Sequence, residues 1–261
     1  MCDCQRTRRE LLAGALALGL SACAASTLPQ LPDVARQAAV EVAPGVRIHP
    51  RADWDGGEAR YQPKRAMAAE DVRFLLVHHT ASSNHVPDPR VVIRQTFAYQ
   101  TSASKGWPDI CYHFMIGPDG SIWETRAGSL AGPVVADASG GNQGYAQLVC
   151  LLGDFTSQAP TAAAQDSLMR MLLWLADRYG IDTDPAATVT FTSRGSDKFR
   201  RGTSITTPTI SGHRDVTYTA CPGNLGYTLL GGWRSRVHAT RLMRNDPGPI
   251  KRAVRLGVHL T

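Results

Sequence analysis

The segment 211–223, which reads S-G-H-R-D-V-T-Y-T-A-C-P-G, constrains this chain more than any other stretch. It places His213 and Cys221 eight residues apart, after Gly212 and before Pro222 and Gly223, and this composition predicts an irregular loop. An imidazole and a thiolate that converge on one point suit a zinc ion, because zinc takes nitrogen and sulfur ligands in a tetrahedron. Two ligands do not complete such a site, so a third has to come from another part of the chain.

The third ligand is expected to be a histidine from outside this segment. The candidates are His49, His78, His79, His85, His113 and His238. Position favours the pair at 78 and 79, because it follows the largely apolar run 72–77 (V-R-F-L-L-V), which predicts a buried strand. Neighbouring residues of a strand point to opposite faces, so we expect one of the two to reach the ion. The alternation by itself does not say which.

The N-terminal segment 1–22 is similar to a twin-arginine export signal. Arg8 and Arg9 precede a short, mildly apolar stretch, and the segment ends in Leu-Ser-Ala before Cys23, which resembles a bacterial lipobox. We therefore expect an exported protein whose Cys23 is lipidated and holds it to the outer side of the cytoplasmic membrane. Ordinary cleavage near Ala24 or Ala25, which would release a secreted protein, is the alternative.

Three of the six cysteines belong to the signal and the anchor, and Cys111, Cys150 and Cys221 remain. An odd number argues against a full disulfide framework. Because Cys111 and Cys150 lie in apolar, strand-like runs, we expect buried thiols there, with a bridge between the two as the alternative.

The formal net charge of +6 is concentrated in the segment 232–261, which has seven basic side chains and a single acid, Asp246. Such a segment could lie on anionic lipid headgroups or wall polymers. A solvated helix face followed by a frayed end is the alternative. The preceding residues sum to about zero and carry no basic pattern typical of nucleic-acid binding, so no nucleic-acid partner is expected.

The chain divides into a leader, a tether, one domain and a tail. Residues 23–45 are predicted as the tether, because they are rich in alanine and proline without a period; 46–243 form the domain and 244–261 the basic tail. Strands are expected at 72–77, 111–116, 147–152 and 188–192, a hairpin turn at 117–120, a loop at 127–144, and helices at 88–102, 162–179 and 225–243, the last open to interruption at Gly231 and Gly232. This alternation predicts a mixed α/β domain with a central sheet flanked by helices.

Three motifs in this order carry a family resemblance: V-H-H-T-A at 77–81, Y-H-F-M-I-G-P-D-G at 112–120 and G-H-R-D-V-T-Y-T-A-C-P-G at 212–223. Together they resemble the zinc N-acetylmuramoyl-L-alanine amidases of the peptidoglycan-recognition-protein and phage-lysozyme superfamily. The resemblance runs from about Arg51 to Arg236 and implies a single domain of that fold.

The resemblance implies a zinc ion held by three residues. His78 falls on the histidine of the family's H-x-[ST] pattern, with Thr80 as the hydroxyl residue, and His213 and Cys221 match the other two ligands. Two histidines and one cysteine leave the fourth tetrahedral position open, as in catalytic zinc sites. Many non-enzymatic recognition proteins of the family have lost the cysteine, so its presence favours an enzyme.

The remaining site residues follow from the same resemblance. Tyr112 matches the family's catalytic tyrosine, which would donate to the oxyanion formed from the amide carbonyl, while a core aromatic is the alternative. Thr219 matches a position where relatives carry lysine or threonine near the reacting carbonyl. His79 and His113 could orient a ligand, line the cleft or simply pack. Arg200 and Arg201, in the run 193–202, are available for substrate carboxylates, and Arg214 and Asp215 are expected to pair and shape the loop.

The leading hypothesis is hydrolysis of the amide between N-acetylmuramic acid and L-alanine in bacterial peptidoglycan by a monomeric zinc enzyme. A non-catalytic peptidoglycan-binding module and a zinc amidase that cuts another peptidoglycan amide are the alternatives. The segment 128–147 departs from the commoner family pattern. Because it is expected to line the substrate cleft, the preference for the stem peptide is open.

Overall fold

A seven-stranded mixed sheet forms the centre of the protein in the computed structural model, which describes residues 38–245 except 67, 70 and 143. Its strands are β1 (Val40–Ala43), β2 (Val46–His49), β3 (Phe74–His79), β4 (Phe114–Ile116), β5 (Ile122–Glu124), β6 (Ala146–Leu151) and β9 (Ile210–Gly212). They lie in the order β1-β2-β5-β4-β6-β3-β9. Between β6 and β9 in sequence, β7 (Thr188–Thr192) and β8 (Ser204–Pro208) form a separate antiparallel hairpin.

Helices cover both faces of the sheet, as the alternation of strands and helices predicts. They are α1 (Ala52–Asp55), α2 (Pro89–Gln100), α3 (Ala162–Tyr179), α4 (His213–Val216) and α5 (Asn224–Asn245), with a short 3-10 turn at Ala59–Tyr61. The mixed α/β class is confirmed. Among the described residues, no helix is long and apolar enough to cross a membrane.

One half of the sheet, from β4 through β6 and β3 to β9, is parallel, and its inner strands are buried on both faces. Strand β3 pairs in parallel with β6 on one side and with β9 on the other. All six residues of β3 and of β6 are buried, which is why these segments are nearly continuous apolar runs in the sequence. Strand β3 extends through His79, so both histidines belong to it.

The two faces of β3 have different neighbours. Leu75 and Val77 pack with α3 and α5 in one cluster. Phe74 and Leu76 face the other way, toward Phe191 of β7 and Val216 of α4. Because side chains alternate along a strand, His78 lies on the face of Leu76. His79 lies on the face of Leu75 and Val77, which α3 and α5 cover and which is called the helical face below.

The ends of the helices follow the predicted signals. The Asp88 side chain accepts a hydrogen bond from the Arg90 amide at the start of α2, and Thr161 caps α3 by accepting from the Ala164 amide. Gly180 ends α3 in the left-handed conformation, with a φ of 67°. Helix α5 runs without a break through Gly231 and Gly232, because Leu230, Trp233 and Val237 bury its inner face against the core.

Several expectations from the sequence are corrected. The strand predicted at 111–116 comprises only Phe114–Ile116, because the Cys111 amide bonds to the Gln100 side chain instead of a neighbouring strand. Strand β1 lies inside the predicted tether, and α5 extends to Asn245, past the predicted domain end. Cys111 and Cys150 are buried thiols, as expected. The leader 1–22, Cys23 and the tail from 246 lie outside the described residues.

Candidate metal centre

Three elements bring His78, His213 and Cys221 together. His78 is near the end of β3, and His213 begins α4 directly after β9, which pairs with β3 at Val77 and Gly212. Cys221 lies in the turn between α4 and α5. The ring centroids of His78 and His213 are 4.3 Å apart, and ligand atoms of all three residues lie within 4.8 Å of one another.

The two histidines are suited to bind a cation through neutral nitrogens. Burial, reinforced by the nearby His213, lowers the pKa of His78 well below its ordinary value. Burial also lowers the pKa of His213 to about 4. Both rings are therefore uncharged at neutral pH, with a lone pair to offer. The Nε2 atom of His78 is buried and has no hydrogen-bond partner, an arrangement that a metal ion would satisfy. The residues present therefore fit a zinc ion.

Cys221 is 9% exposed, and backbone holds its sulfur. The His79 amide lies 3.4 Å from it and donates to it, and the Nδ1 atom of His78 lies 3.6 Å away. The Arg214 side chain donates to the carbonyl oxygens of Ala220 and Cys221 and to the Asn224 side chain. These contacts fix the turn that carries Cys221.

The segment between the two loop ligands is more regular than expected, because His213–Val216 forms one helical turn. The Asp215 carboxylate closes its start by accepting from the Gly212 amide at 2.8 Å and from the Tyr227 hydroxyl. Arg214 and Asp215 both shape the loop, but each does so through other partners, so the expectation that they pair with each other is wrong.

Tyr112 and Thr219 lie beside the metal-ligand group. The Tyr112 ring is 5.1 Å from the ring of His78, is half-buried and precedes β4. Its side chain also hydrogen-bonds to Cys150, which is in register with His78 on the adjacent strand. The Thr219 hydroxyl is half-buried and accepts from the Cys221 amide at 3.2 Å.

His113 does not line a cleft. It is fully buried, its Nδ1 accepts from the Leu148 amide at 2.8 Å, and its Nε2 lies 2.7 Å from the Val134 carbonyl oxygen, to which it donates. Burial lowers its pKa to about 3. Both ring nitrogens are bonded to backbone groups, so the role of lining the substrate cleft is corrected and packing is the role observed: His113 joins the segment around Val134 to β6.

His79 is also committed to internal contacts. Its Nδ1 accepts from the Phe155 amide at 3.3 Å and lies 4.0 Å from the Asp154 carboxylate, and the residue is 6% exposed. Burial lowers its pKa to about 4, although Asp154 opposes this shift. The His79 side chain lies on the helical face of β3, opposite to that of His78. Its contacts position its own backbone amide, which donates to the Cys221 sulfur.

Arg200 and Arg201 are exposed in the turn between β7 and β8. This turn is attached to the ligand loop. The Lys198 ammonium donates to the carbonyl oxygens of Arg214 and Asp215, at 2.8 and 3.1 Å, and Asp197 accepts from the Thr217 hydroxyl. The turn therefore borders the candidate metal centre. Contact of the two arginines with substrate remains a prediction.

Sequence reasoning missed how the segment 127–144 supports the centre. Much of its second half is buried, and Gly140 packs against Val216 while Gly141 packs against Gly195. A Cβ atom on Gly141 would lie 1.7 Å from the Gly195 carbonyl oxygen. The adjacent glycines were the available signal, because such pairs mark places where two backbones approach closely. This part of the segment is a packed support and not an open loop.

Comparison with known proteins agrees with this geometry. The family model described as N-acetylmuramoyl-L-alanine amidase matches residues 68–224. A human N-acetylmuramoyl-L-alanine amidase is 30% identical over 209 residues, which are 77% of this chain and 30% of the human protein. The chain thus spans less than a third of that relative. Peptidoglycan-recognition protein SC1a/b of Drosophila simulans is 26% identical over 194 residues, 74% of this chain and 88% of that protein.

The fold has solved counterparts. The crystal structure of Drosophila peptidoglycan recognition protein SD superposes with a TM-score of 0.55 at 21% identity, covering 72% of this chain and 95% of that one. The family match spans β3 through the turn after α4, and so includes His78, His213 and Cys221. This chain therefore belongs to the N-acetylmuramoyl-L-alanine amidase family, within the superfamily that also includes the peptidoglycan-recognition proteins.

Proposed function

We propose that this protein is a zinc-dependent amidase that hydrolyses the amide between N-acetylmuramic acid and L-alanine in bacterial peptidoglycan. The observation that carries the proposal is the group of His78, His213 and Cys221, within 4.8 Å of one another beside Tyr112. A binding module would not need neutral buried imidazoles, a backbone-held thiol and a phenol at one point.

His78, His213 and Cys221 would hold the ion and leave one tetrahedral position open. A zinc ion in such a site supplies Lewis acidity toward water and an amide carbonyl. The surrounding residues hold these ligands in position. The Arg214 contacts keep Cys221 in place. Lys198 and Asp215 hold the helical turn of α4 through the Arg214 carbonyl oxygen and the Gly212 amide.

Tyr112 would exchange its hydrogen bond to Cys150 for one to the substrate, and donate its phenolic hydrogen to the oxygen that becomes negative when the amide carbonyl is attacked. It is half-buried and 5.1 Å from the His78 ring. A single such donor typically contributes about 10²- to 10³-fold in kcat. Thr219 accepts from the Cys221 amide, so its own hydrogen is available to a substrate carbonyl. Arg200 and Arg201 would bind carboxylates of the stem peptide from the neighbouring turn.

The test is digestion of purified muropeptides in the presence of zinc, followed by mass spectrometry. We expect free muramic acid ends for the wild type. Tyr112→Phe should lower kcat by about 10²- to 10³-fold at unchanged zinc content. Cys221→Ala should lose both zinc and activity, while Cys111→Ala, which removes another buried thiol, should retain both.

Two results would contradict the proposal. The first is that muropeptides stay uncut and bind equally well to the wild type and to Cys221→Ala. This result would favour a peptidoglycan-binding module, which is the second candidate because the chain is similar to recognition proteins. Products cut inside the stem peptide would indicate a zinc amidase acting on another peptidoglycan amide.

We also propose that the protein acts as a monomer outside the cytoplasmic membrane, anchored through a lipid on Cys23. The family's substrate lies in the cell wall, and the leader sequence supports export. Intact-mass measurement of the protein from membranes should show a lipid increment on a chain that begins at Cys23. A chain that begins at Ala24 or Ala25 without lipid would establish ordinary cleavage.

A further inference from the structure

A groove lies between helices α3 and α5 and the turn that joins β1 to β2. The floor of the groove is apolar and consists of Val46, Met169, Leu173 and Trp174. The rim is charged and consists of Arg170, Arg236, Arg244 and one acid, Asp166. The volume of the groove is about 290 Å³. This is near the lower limit of pockets that take small organic ligands.

The groove is on the opposite side of the sheet from the metal-ligand group. Val46, Met169 and Leu173 belong to the cluster that includes Leu75 and Val77. His78 follows these residues in β3 but points to the other face. A ligand held in the groove would therefore leave the centre around His78 uncovered.

The rim has an excess of positive charge, with three arginines against one aspartate. Arg170 pairs with Asp166 at 2.8 Å, and Arg244 contacts Asp177, which is shared with Arg241. Within the part of the chain that the structure describes, Arg236 has no acidic partner. An anion is therefore the ligand that this rim favours.

The chain continues from this rim into more basic sequence. Helix α5 ends at Asn245, next to the rim residue Arg244. The following residues, 246–261, contain Lys251, Arg252 and Arg255 and one acid, Asp246. In the sequence, these basic residues therefore follow the end of α5, whose last turn contributes Arg244 to the rim.

We propose that the groove and its rim bind anionic phospholipid headgroups and hold the domain on a membrane surface, with the face of His78 turned away from the bilayer. The half-buried Trp174 at the groove supports a lipid, because indole rings favour the headgroup region. A phosphate-rich wall polymer would use the arginines but would gain nothing from the apolar floor. The proposal does not depend on amidase activity.

The experiment uses the full chain with Cys23→Ser, so that no acyl chain contributes, and measures sedimentation with vesicles. We expect binding to vesicles of equal parts phosphatidylglycerol and phosphatidylcholine and none to phosphatidylcholine alone. Each basic residue near an anionic surface contributes about a fivefold factor in binding. The charge reversals Arg170→Glu and Arg236→Glu together should therefore weaken binding by at least about tenfold.

Arg60→Glu is the matched control. Arg60 is exposed and stacks on Tyr61, which packs with Trp54 on the face of the sheet opposite the groove. This variant should bind the vesicles within about twofold of the parent, since charge near the surface, and not total charge, sets the attraction. Circular dichroism melting shows whether each variant is folded, and Arg236→Gln serves in place of the double variant if that one is not.

Three outcomes would overturn the proposal. The first is equal binding by the parent and the groove variants, and the second is equal weakening by Arg60→Glu. The third is arginine-dependent binding of soluble poly(glycerol phosphate) by a protein that does not bind the vesicles. That last result would make a wall polymer the partner.

Discussion

His78 and His79 are chemically identical neighbours with different tasks. One side chain faces His213 and Tyr112, and the other accepts from the Phe155 amide on the helical face. The alternation of β3 separates them, and the sequence predicts that separation but not its direction. The direction depends on which face α3 and α5 cover, and this is a property of the whole sheet. Only the family motif selected His78 in advance.

His113 makes the stability of the fold depend on pH. Its pKa is about 3 in the folded protein, because it is buried, against an ordinary value of 6.5. The unfolded chain therefore binds a proton below about pH 6.5 that the folded protein does not bind. Stability from this residue is complete above that pH and is lost as the pH falls toward about 3.

We expect the wild type to lose about 1 kcal/mol more unfolding free energy than His113→Gln between about pH 6.5 and pH 5.5. Glutamine keeps one donor and one acceptor but does not titrate, so the other buried histidines contribute equally to both proteins. Denaturant unfolding of the two metal-free proteins at the two pH values measures the difference. Parallel pH dependences would mean that His113 is not the source.

At the level of elements, the sequence predicted those helices and strands that are specified by residues within the element itself. Strand β6 and helix α3 could be predicted because an apolar run and the capping residue Thr161 specify them from within. The docking of the β7–β8 turn could not, because Lys198 reaches backbone carbonyls of α4 that are distant in sequence. The position of a lysine in the sequence does not indicate which distant carbonyl oxygen it will contact. Strand β1, four residues long, exists because β2 pairs with it.

The start of α4 should control metal affinity through Asp215, which bonds both the Gly212 amide and the Tyr227 hydroxyl. We expect Asp215→Ala to weaken zinc binding by about tenfold or more, because the residue before His213 loses its anchor. Tyr227→Phe removes only one of the two bonds and should have a smaller effect. Competition with a chromogenic chelator measures both affinities. Equal zinc affinity in Asp215→Ala and the wild type would show that α4 needs no such anchor.

The contact between the segment 127–144 and the β7–β8 turn should be intolerant of a single methyl group. Gly141 has a φ of +77°, and an added Cβ would lie 1.7 Å from the Gly195 carbonyl oxygen. Gly57 has a similar φ of +71° with nothing within 4 Å of its Cβ position, so it is a matched control for backbone strain alone.

Gly57→Ala should lower the free energy of unfolding by about 1–2 kcal/mol, the cost of a left-handed alanine. Gly141→Ala should cost at least about 2 kcal/mol more, because two backbones have to move apart. Denaturant titration of both variants measures the difference. Similar losses for the two would mean that the close approach at Gly195 relaxes without cost.

For the whole molecule, the candidate metal centre joins parts of the chain that are far apart in sequence. His78 lies near the end of β3, which is paired between β6 and β9, whereas His213 begins α4 and Cys221 lies between α4 and α5. The unfolded chain does not hold these three side chains together. An ion bound by all three therefore stabilises the folded state as a unit.

Zinc should consequently raise the melting temperature of the protein. At a zinc concentration one hundred times Kd, the added stability is about 2.7 kcal/mol, which corresponds to roughly 5–10 °C for a domain of this size. Differential scanning calorimetry with zinc and with a chelator measures the shift. Cys221→Ala should show almost none of it, because one of the three ligands is missing, while Cys111→Ala should show the full shift. An equal rise in wild type and Cys221→Ala would place the stabilising zinc elsewhere in the protein.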